Sequence, residues 1–173
     1  NKNEDTAIKI ASETINNFQN IYEEKWLNMM RAKLGFFGED KSDKKIIEDL
    51  LNWMEKNKAD YTNTFCNLMG INSDEIYKNN DFINWKNEWK KRSELNNSTN
   101  EKQIKLMKQN NPIVIPRNHK VEEALAEAEK GNLDKMKKLL TILKKPYGTQ
   151  DKIKEYQVPP PSSDEKYQTF CGT

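Results

Sequence analysis

Residues 110–143 read NNPIVIPRNHKVEEALAEAEKGNLDKMKKLLTIL, and this stretch decides the fold. Pro112 and Pro116 bracket a short apolar run, Ile113-Val114-Ile115. Each proline biases the residue before it away from the α region, so the run is predicted to be extended. Asn118 is placed to cap a helix with Val121, Ala124, Leu125 and Ala128 on one face. Gly131 suits the left-handed position that ends such a helix. Asn132 can cap a second helix carrying Leu133, Met136, Leu139, Leu140 and Leu143, which Lys144-Lys145-Pro146 closes. The stretch reads as a hinge followed by a tightly connected helix pair.

Working outward toward the N-terminus, the same 3.6-residue period recurs. Ile8, Ala11, Ile15, Phe18, Tyr22, Trp26 and Met29 form one stripe of a long first helix opened by Asp5 or Thr6, a core-facing or partner-facing surface. Ser42 is a fair cap for a second helix with Ile46, Ile47, Leu50, Leu51 and Met54 buried and Trp53 on its flank. Asp60 caps a third, with Tyr61, Phe65 and Leu68 along one side and Gly70 after it. Phe82, Trp85 and Trp89 then lie at helical spacing, interleaved with Lys86, Lys90, Lys91 and Arg92. Such interleaving occurs in single-strand binders, but Glu88 and Glu94 in the same helix favour a core stripe with a solvated face. Residues 96–100 read as a linker, and Ser98-x-x-Glu101 as a capping box for a helix with Ile104, Leu106 and Met107. Toward the C-terminus, Pro146-Tyr147-Gly148 is a turn, and Val158-Pro159-Pro160-Pro161 is extended. The fold class is all-α: a helical bundle over 1–95, then a helix, bend and hairpin over 96–145 packed on it, then an extended Pro-rich tail over 146–173.

Composition narrows the function classes. A net charge of +2 gives no basic excess for nucleic acid. No apolar run approaches the 18 residues of a membrane span. The first residue is Asn and no signal peptide is apparent, so the chain reads as a fragment or processed piece. Two cysteines, Cys66 and Cys171, do not make a disulfide scaffold, and a cytoplasmic location is expected. The six glycines are scattered singly and form no phosphate-cradling loop.

Several separate motifs carry a family resemblance. NPIVIPRNHKVEEALAEAEKGNLDKMKKLL, then KKPYGTQ, VPPP and the terminal YQTFCGT resemble the C-terminal end of the selenoprotein O family. RAKLGFFGED and LLNWMEKNKADYTNTF resemble its preceding helices. The resemblance implies a longer protein with a protein-kinase-like fold that transfers AMP from ATP, with Mg2+ or Mn2+, to hydroxyl side chains of other proteins. It also implies that the nucleotide- and metal-binding residues lie N-terminal to these motifs. No catalytic, cofactor-binding or metal residue is therefore expected in this segment. Its partners would be the kinase-like region of the same protein and, for the whole enzyme, protein substrates.

Four residues stand out. Cys171, third from the end, is the redox candidate, because an exposed thiol is uncommon unless its chemistry is used. The resemblance places selenocysteine of animal members at this point. Its partner would be a Cys of the kinase-like region, Cys66 or a second molecule, and an inert thiol is the alternative. Arg117, in a chain where 29 basic residues include only three arginines, suggests a need for the planar guanidinium. That need is a structural anchor first and a phosphate contact second. Asn118 and the single His119 follow it, His119 without a nucleophile or metal ligands at a recognisable spacing. Cys66, inside a helix beside Phe65, reads as a small buried hydrophobe. A different class of reading, an ankyrin- or tetratricopeptide-like binding module, matches the hairpin, but such arrays need several copies and one is present.

Overall fold

The computed structural model describes residues 2–148 and 153–160. Among these every regular element is helical, as the apolar periods require. The chain divides after Pro112 into two compact units. Residues 96–112, including the fifth helix, belong to the first.

In the first unit, helix α1 (Lys2–Leu34) stops at Gly35, whose φ of +72° lies where a side chain is disfavoured. The Phe36 amide reaches back to the Arg31 carbonyl at 2.9 Å, closing the helix. A Cβ on Gly35 would stand 2.6 Å from Cγ of Gln103, so the glycine also permits close approach to helix α5 (Asn100–Asn110). Between them come α2 (Asp43–Lys56), α3 (Tyr61–Leu68), a 3-10 turn at Glu75–Lys78 and α4 (Asn80–Glu94). Helix α2 packs on α4, and the end of α1 packs on α2, α3 and α5. Met30, Leu34, Ile47, Leu50, Phe65, Phe82 and Met107 fill the centre.

Trp53, expected on a flank, is buried instead. Its ring lies 4.6 Å from Phe82 and 6.1 Å from Tyr77, centroid to centroid. The turn at Glu75–Lys78 supplies that cover, and Leu51 is the half-exposed neighbour. Trp85 and Trp89 are buried as a core stripe while Lys90 and Lys91 face outward. Both indoles have acceptors. Trp85 Nε1 donates to the Ile46 carbonyl at 2.8 Å, and Trp89 Nε1 donates at 2.9 Å to that of Leu34, one of the carbonyls a helix end leaves without an intrahelical partner.

The caps follow the sequence to within a residue. The Asp60 carboxylate accepts from the Asn63 amide at 2.8 Å. The cap of α5 is Thr99, accepting from the Lys102 amide, rather than Ser98. Ser42 stands at the cap position of α2, but its hydroxyl bonds Asp40.

In the second unit, α6 (Asn118–Glu129) and α7 (Asp134–Leu143) form the hairpin. Gly131, at φ +85°, makes the turn, and the Asn132 amide donates to the Glu127 carbonyl at 3.0 Å. Leu133, not Asn132, occupies the cap position of α7, and the Asn132 side chain accepts from the Asp134 amide at 3.0 Å one residue ahead of it. Arg117, not Asn118, occupies the cap position of α6; Asn118 is its first residue. Ala124, Leu139 and Ile142 are the buried hairpin residues, whereas Leu125, Leu133 and Leu140 are exposed. The extended run is held through Ile113. Its amide donates to the Pro146 carbonyl at 2.7 Å, and its carbonyl accepts from Gln157 in the short helix α8 (Lys154–Gln157) at 2.8 Å. Val158 continues extended. The tail beyond residue 160, with Pro161 and Cys171, lies outside the described residues.

Candidate functional site

The RAKLGFFGED segment, residues 31–40, joins Asp43, Arg92 and Asn96 in a buried polar cluster of the first unit. Asp43, first residue of α2, is fully buried. Its Oδ2 accepts from Arg31 Nε and its Oδ1 from Arg92 Nε, each at 2.6 Å. The Asp40 amide adds a third bond to Oδ2 at 2.9 Å. Helix ends favour this placement: an acid sits at the N-terminus of α2, and a cation sits in the last turn of both α1 and α4. The Arg92 guanidinium also donates to Asn96 Oδ1 at 3.1 Å and lies 4.6 Å over the Phe36 ring.

Asn96 was expected to begin a linker; it is a buried lock. Its Oδ1 also accepts from the Phe37 amide at 3.0 Å, and its Nδ2 donates to the Gly35 carbonyl at 3.0 Å. Outside this core, Arg31 meets the exposed Glu39 at 3.2 Å. The neighbouring Asp40 carboxyl is held below its ordinary pKa by the hydroxyl and amide of Ser42. Lys33 ties the same helix end to α5. Its ammonium donates to the Asn110 carbonyl at 3.2 Å and stands 4.7 Å over the Phe65 ring, while its own carbonyl accepts from Asn111 Nδ2 at 2.8 Å. Burial pushes the Lys33 pKa down, with a smaller opposing influence from Cys66.

Chemically this is a clasp. Asp43 is fully buried with both oxygens bonded, Oδ1 by Arg92 and Oδ2 by Arg31 and the Asp40 amide, so it joins α1, α2 and α4. No local sequence pattern marks the clasp, because its members are 12 and 49 residues apart. One signal was present: the chain has three arginines, Arg31, Arg92 and Arg117, and all three are buried.

Of the residues singled out earlier, Arg117, Asn118 and His119 sit together where α6 begins. Arg117 is buried, and its carbonyl accepts from the amides of Lys120 and Val121 at 2.9 and 3.0 Å. Asn118 is exposed. His119 is half-buried, and its Nδ1 is shielded without a hydrogen-bond partner, so no carboxylate orients the ring from that side. Burial lowers its pKa, Lys120 and Arg117 act in the same direction, and Glu123 opposes them. Cys66 is fully buried. The position of Cys171 relative to these groups lies outside the described residues.

Among the described residues no group of three or more His, Cys, Asp or Glu could hold a metal ion. Among the described residues the fully buried carboxylate is Asp43. No helix of the described residues is long and apolar enough to cross a membrane.

The family profile described as "Protein adenylyltransferase SelO" matches residues 6–144. The chain belongs to the SelO family. The SelO match takes in the Arg31–Asp43–Arg92 clasp, the bend at Arg117 and the whole hairpin. Relatives named "Protein nucleotidyltransferase YdiU" align over essentially the full chain. The one from Pelagibacter ubique is 55% identical over 99% of this chain, and one from Clostridium perfringens is 42% identical over 100%. A third, from Nitrosococcus oceani, is 41% identical over 99%. In each case the chain spans only 36% of the relative's length.

Proposed function

We propose that this chain is the C-terminal helical region of a SelO-type protein adenylyltransferase. The observation that carries the reading is the pairing of a family match over residues 6–144 with coverage of 36% of the relatives. The whole protein transfers AMP from ATP, with Mg2+ or Mn2+, to hydroxyl groups of protein substrates in the cytoplasm. The chemistry belongs to a kinase-like region N-terminal to these residues. The present segment is a buttress for that region. The clasp fixes the directions in which α1, α2 and α4 leave one point, and the hairpin supplies a second small unit. Cys171 extends the reading to redox control of the whole enzyme by its thiol.

Calorimetry and label transfer test the division of labour. The 173-residue chain alone is expected to show no heat of ATP binding with magnesium and to transfer no label from ATP. The same chain joined to the remaining two thirds of the Pelagibacter ubique relative is expected to transfer AMP to protein hydroxyls. Micromolar ATP affinity or label transfer by the chain alone would overturn the assignment. For the terminal thiol, reductant is expected to change the activity of the joined polypeptide but not that of its Cys171→Ser form. An equal response of both forms refutes the redox role.

A further inference from the structure

The first 23 described side-chain positions of α1, residues 3–25, are all exposed. At 1.5 Å per residue they extend over roughly 35 Å. Their surface is not uniform. Ile8, Ala11, Ile15, Phe18, Tyr22, Trp26 and Met29 fall within an arc of about 80° when the helix turns 100° per residue. Ile15 is 72% exposed and Phe18 is 66% exposed, so this arc lacks cover within the described residues. Phe18 and Tyr22 already stack on one another, 6.1 Å between ring centroids. The Lys9–Glu13 ion pair and Asn16, Asn17 and Asn20 lie off the arc. The apolar strip amounts to roughly 500 Å², the size of the largest patch on an ordinary monomer, and is drawn out along one helix.

We infer that this stripe of α1 is a docking face for the rest of the same polypeptide, the two thirds of the relatives' length that this chain does not span. The inference rests on the reading that a kinase-like region accompanies these helices. Two observations select that occupant. The family match begins at residue 6, so the exposed stripe lies within the region the family shares. The relatives carry 64% of their length, the remainder of the 36% aligned, outside this alignment. A second copy fits less well. Ser12, Gln19 and Glu23 border the stripe on one side and Thr14 and Lys25 on the other, so the opposed charges Glu23 and Lys25 lie near one end and the borders at Ser12, Thr14 and Gln19 are uncharged, short of the repeated charge pairs that hold two such helices together. A membrane surface fits less well too, because the polar face is rich in Asn and Glu rather than Lys and Arg.

Hydrogen exchange on the chain joined to the remaining part of the Pelagibacter ubique relative tests this. Amides of residues 8–22 are expected to exchange roughly 100-fold more slowly in the joined polypeptide than in the chain alone, because a packed helix opens far less often. Phe18→Asp should remove most of that protection in the joined polypeptide. In the chain alone it should leave the unfolding midpoint of the first unit unchanged. The intact Pelagibacter ubique protein should show the same protection over its aligned helix, which serves if the joined polypeptide does not fold. Equal exchange with and without the added region overturns the inference, as does a dimer of the chain alone that Phe18→Asp dissociates. AMP transfer with α1 still unprotected would defeat the docking face and leave the adenylyltransferase reading intact. Protection without AMP transfer would do the reverse.

Discussion

Asp43→Asn tests whether the clasp organises the first unit. The substitution keeps the shape of the side chain and removes its charge. One carboxylate oxygen becomes an NH2, so at least one of the two 2.6 Å guanidinium contacts turns into donor against donor. The side chains of Asp43 and Arg92 are 0% and 3% exposed, so water cannot replace the lost acceptor. Removing one partner of a buried ion pair costs about 3–5 kcal/mol. The loss of a single charged hydrogen bond, about 1.5–3 kcal/mol, sets the lower bound. With a urea m-value of about 2 kcal/mol/M, the unfolding midpoint should fall by about 2 M. Tryptophan fluorescence isolates the unit concerned, since Trp26, Trp53, Trp85 and Trp89 all precede residue 112. Glu39→Gln is the internal control. It breaks the Arg31 contact on the solvent side, where Glu39 is 74% exposed, and should cost no more than about 0.5 kcal/mol. If the two variants shift the midpoint equally, the buried carboxylate is not what joins these helices.

Gly35→Ala should destabilise the same unit by about 2–4 kcal/mol, combining a left-handed φ with a Cβ placed against Gln103; an unchanged urea midpoint would contradict the close approach of α1 and α5. Asn96→Ala should cost about 1–3 kcal/mol, because the Gly35 carbonyl, the Phe37 amide and Arg92 all lose a partner, and urea titration reads this directly. His119 gives a pH dependence: its pKa is lowered on folding, so the unfolded chain binds more protons, and stability is full above about pH 6.5 and lost as pH falls through the lowered value. His119→Gln should flatten the thermal midpoint over that window; an unaltered slope would assign it to another group. A thiol reagent should modify Cys171 quickly and the fully buried Cys66 only after denaturation, as peptide mapping would show, and the opposite order would refute an accessible terminal thiol.

Local features were legible in the sequence, and their partners across the fold were not. Asp60 and Gly70 bounded α3 as predicted because caps and left-handed glycines act within a few residues of one another. Thr99 displaced Ser98 by one position, since neighbouring hydroxyls compete for the same few free amides, whereas Arg117, whose guanidinium has no acceptor, occupies the α6 cap position without a side-chain cap bond. Trp53 and Asn96 were misplaced for a different reason. The period of α2 is set by its aliphatic residues, and nothing in it reports that Tyr77 and Phe82 arrive from the following turn and helix. Asn96 sits in a polar run that resembles a linker, yet its amide spans to Gly35, 61 positions earlier.

The arginines show how such long-range contacts leave a trace in composition. Lysine serves wherever this chain needs only a solvated positive charge, as in Lys45–Asp49 or Lys91–Glu88 on helix surfaces. An ammonium holds its charge at one point, whereas a guanidinium spreads five donors across a plane. Arg92 uses that plane to meet Asp43, Asn96 and the Phe36 ring together, and Arg31 uses it to join Asp43 to Asn28. A lysine at either position would reach one of these partners and leave the others buried without a donor. The scarcity of arginine, first noticed at Arg117, therefore applies with greater force to Arg31 and Arg92. In a sequence this rich in lysine, Arg31 and Arg92 mark places where geometry, not charge alone, is being selected by the fold.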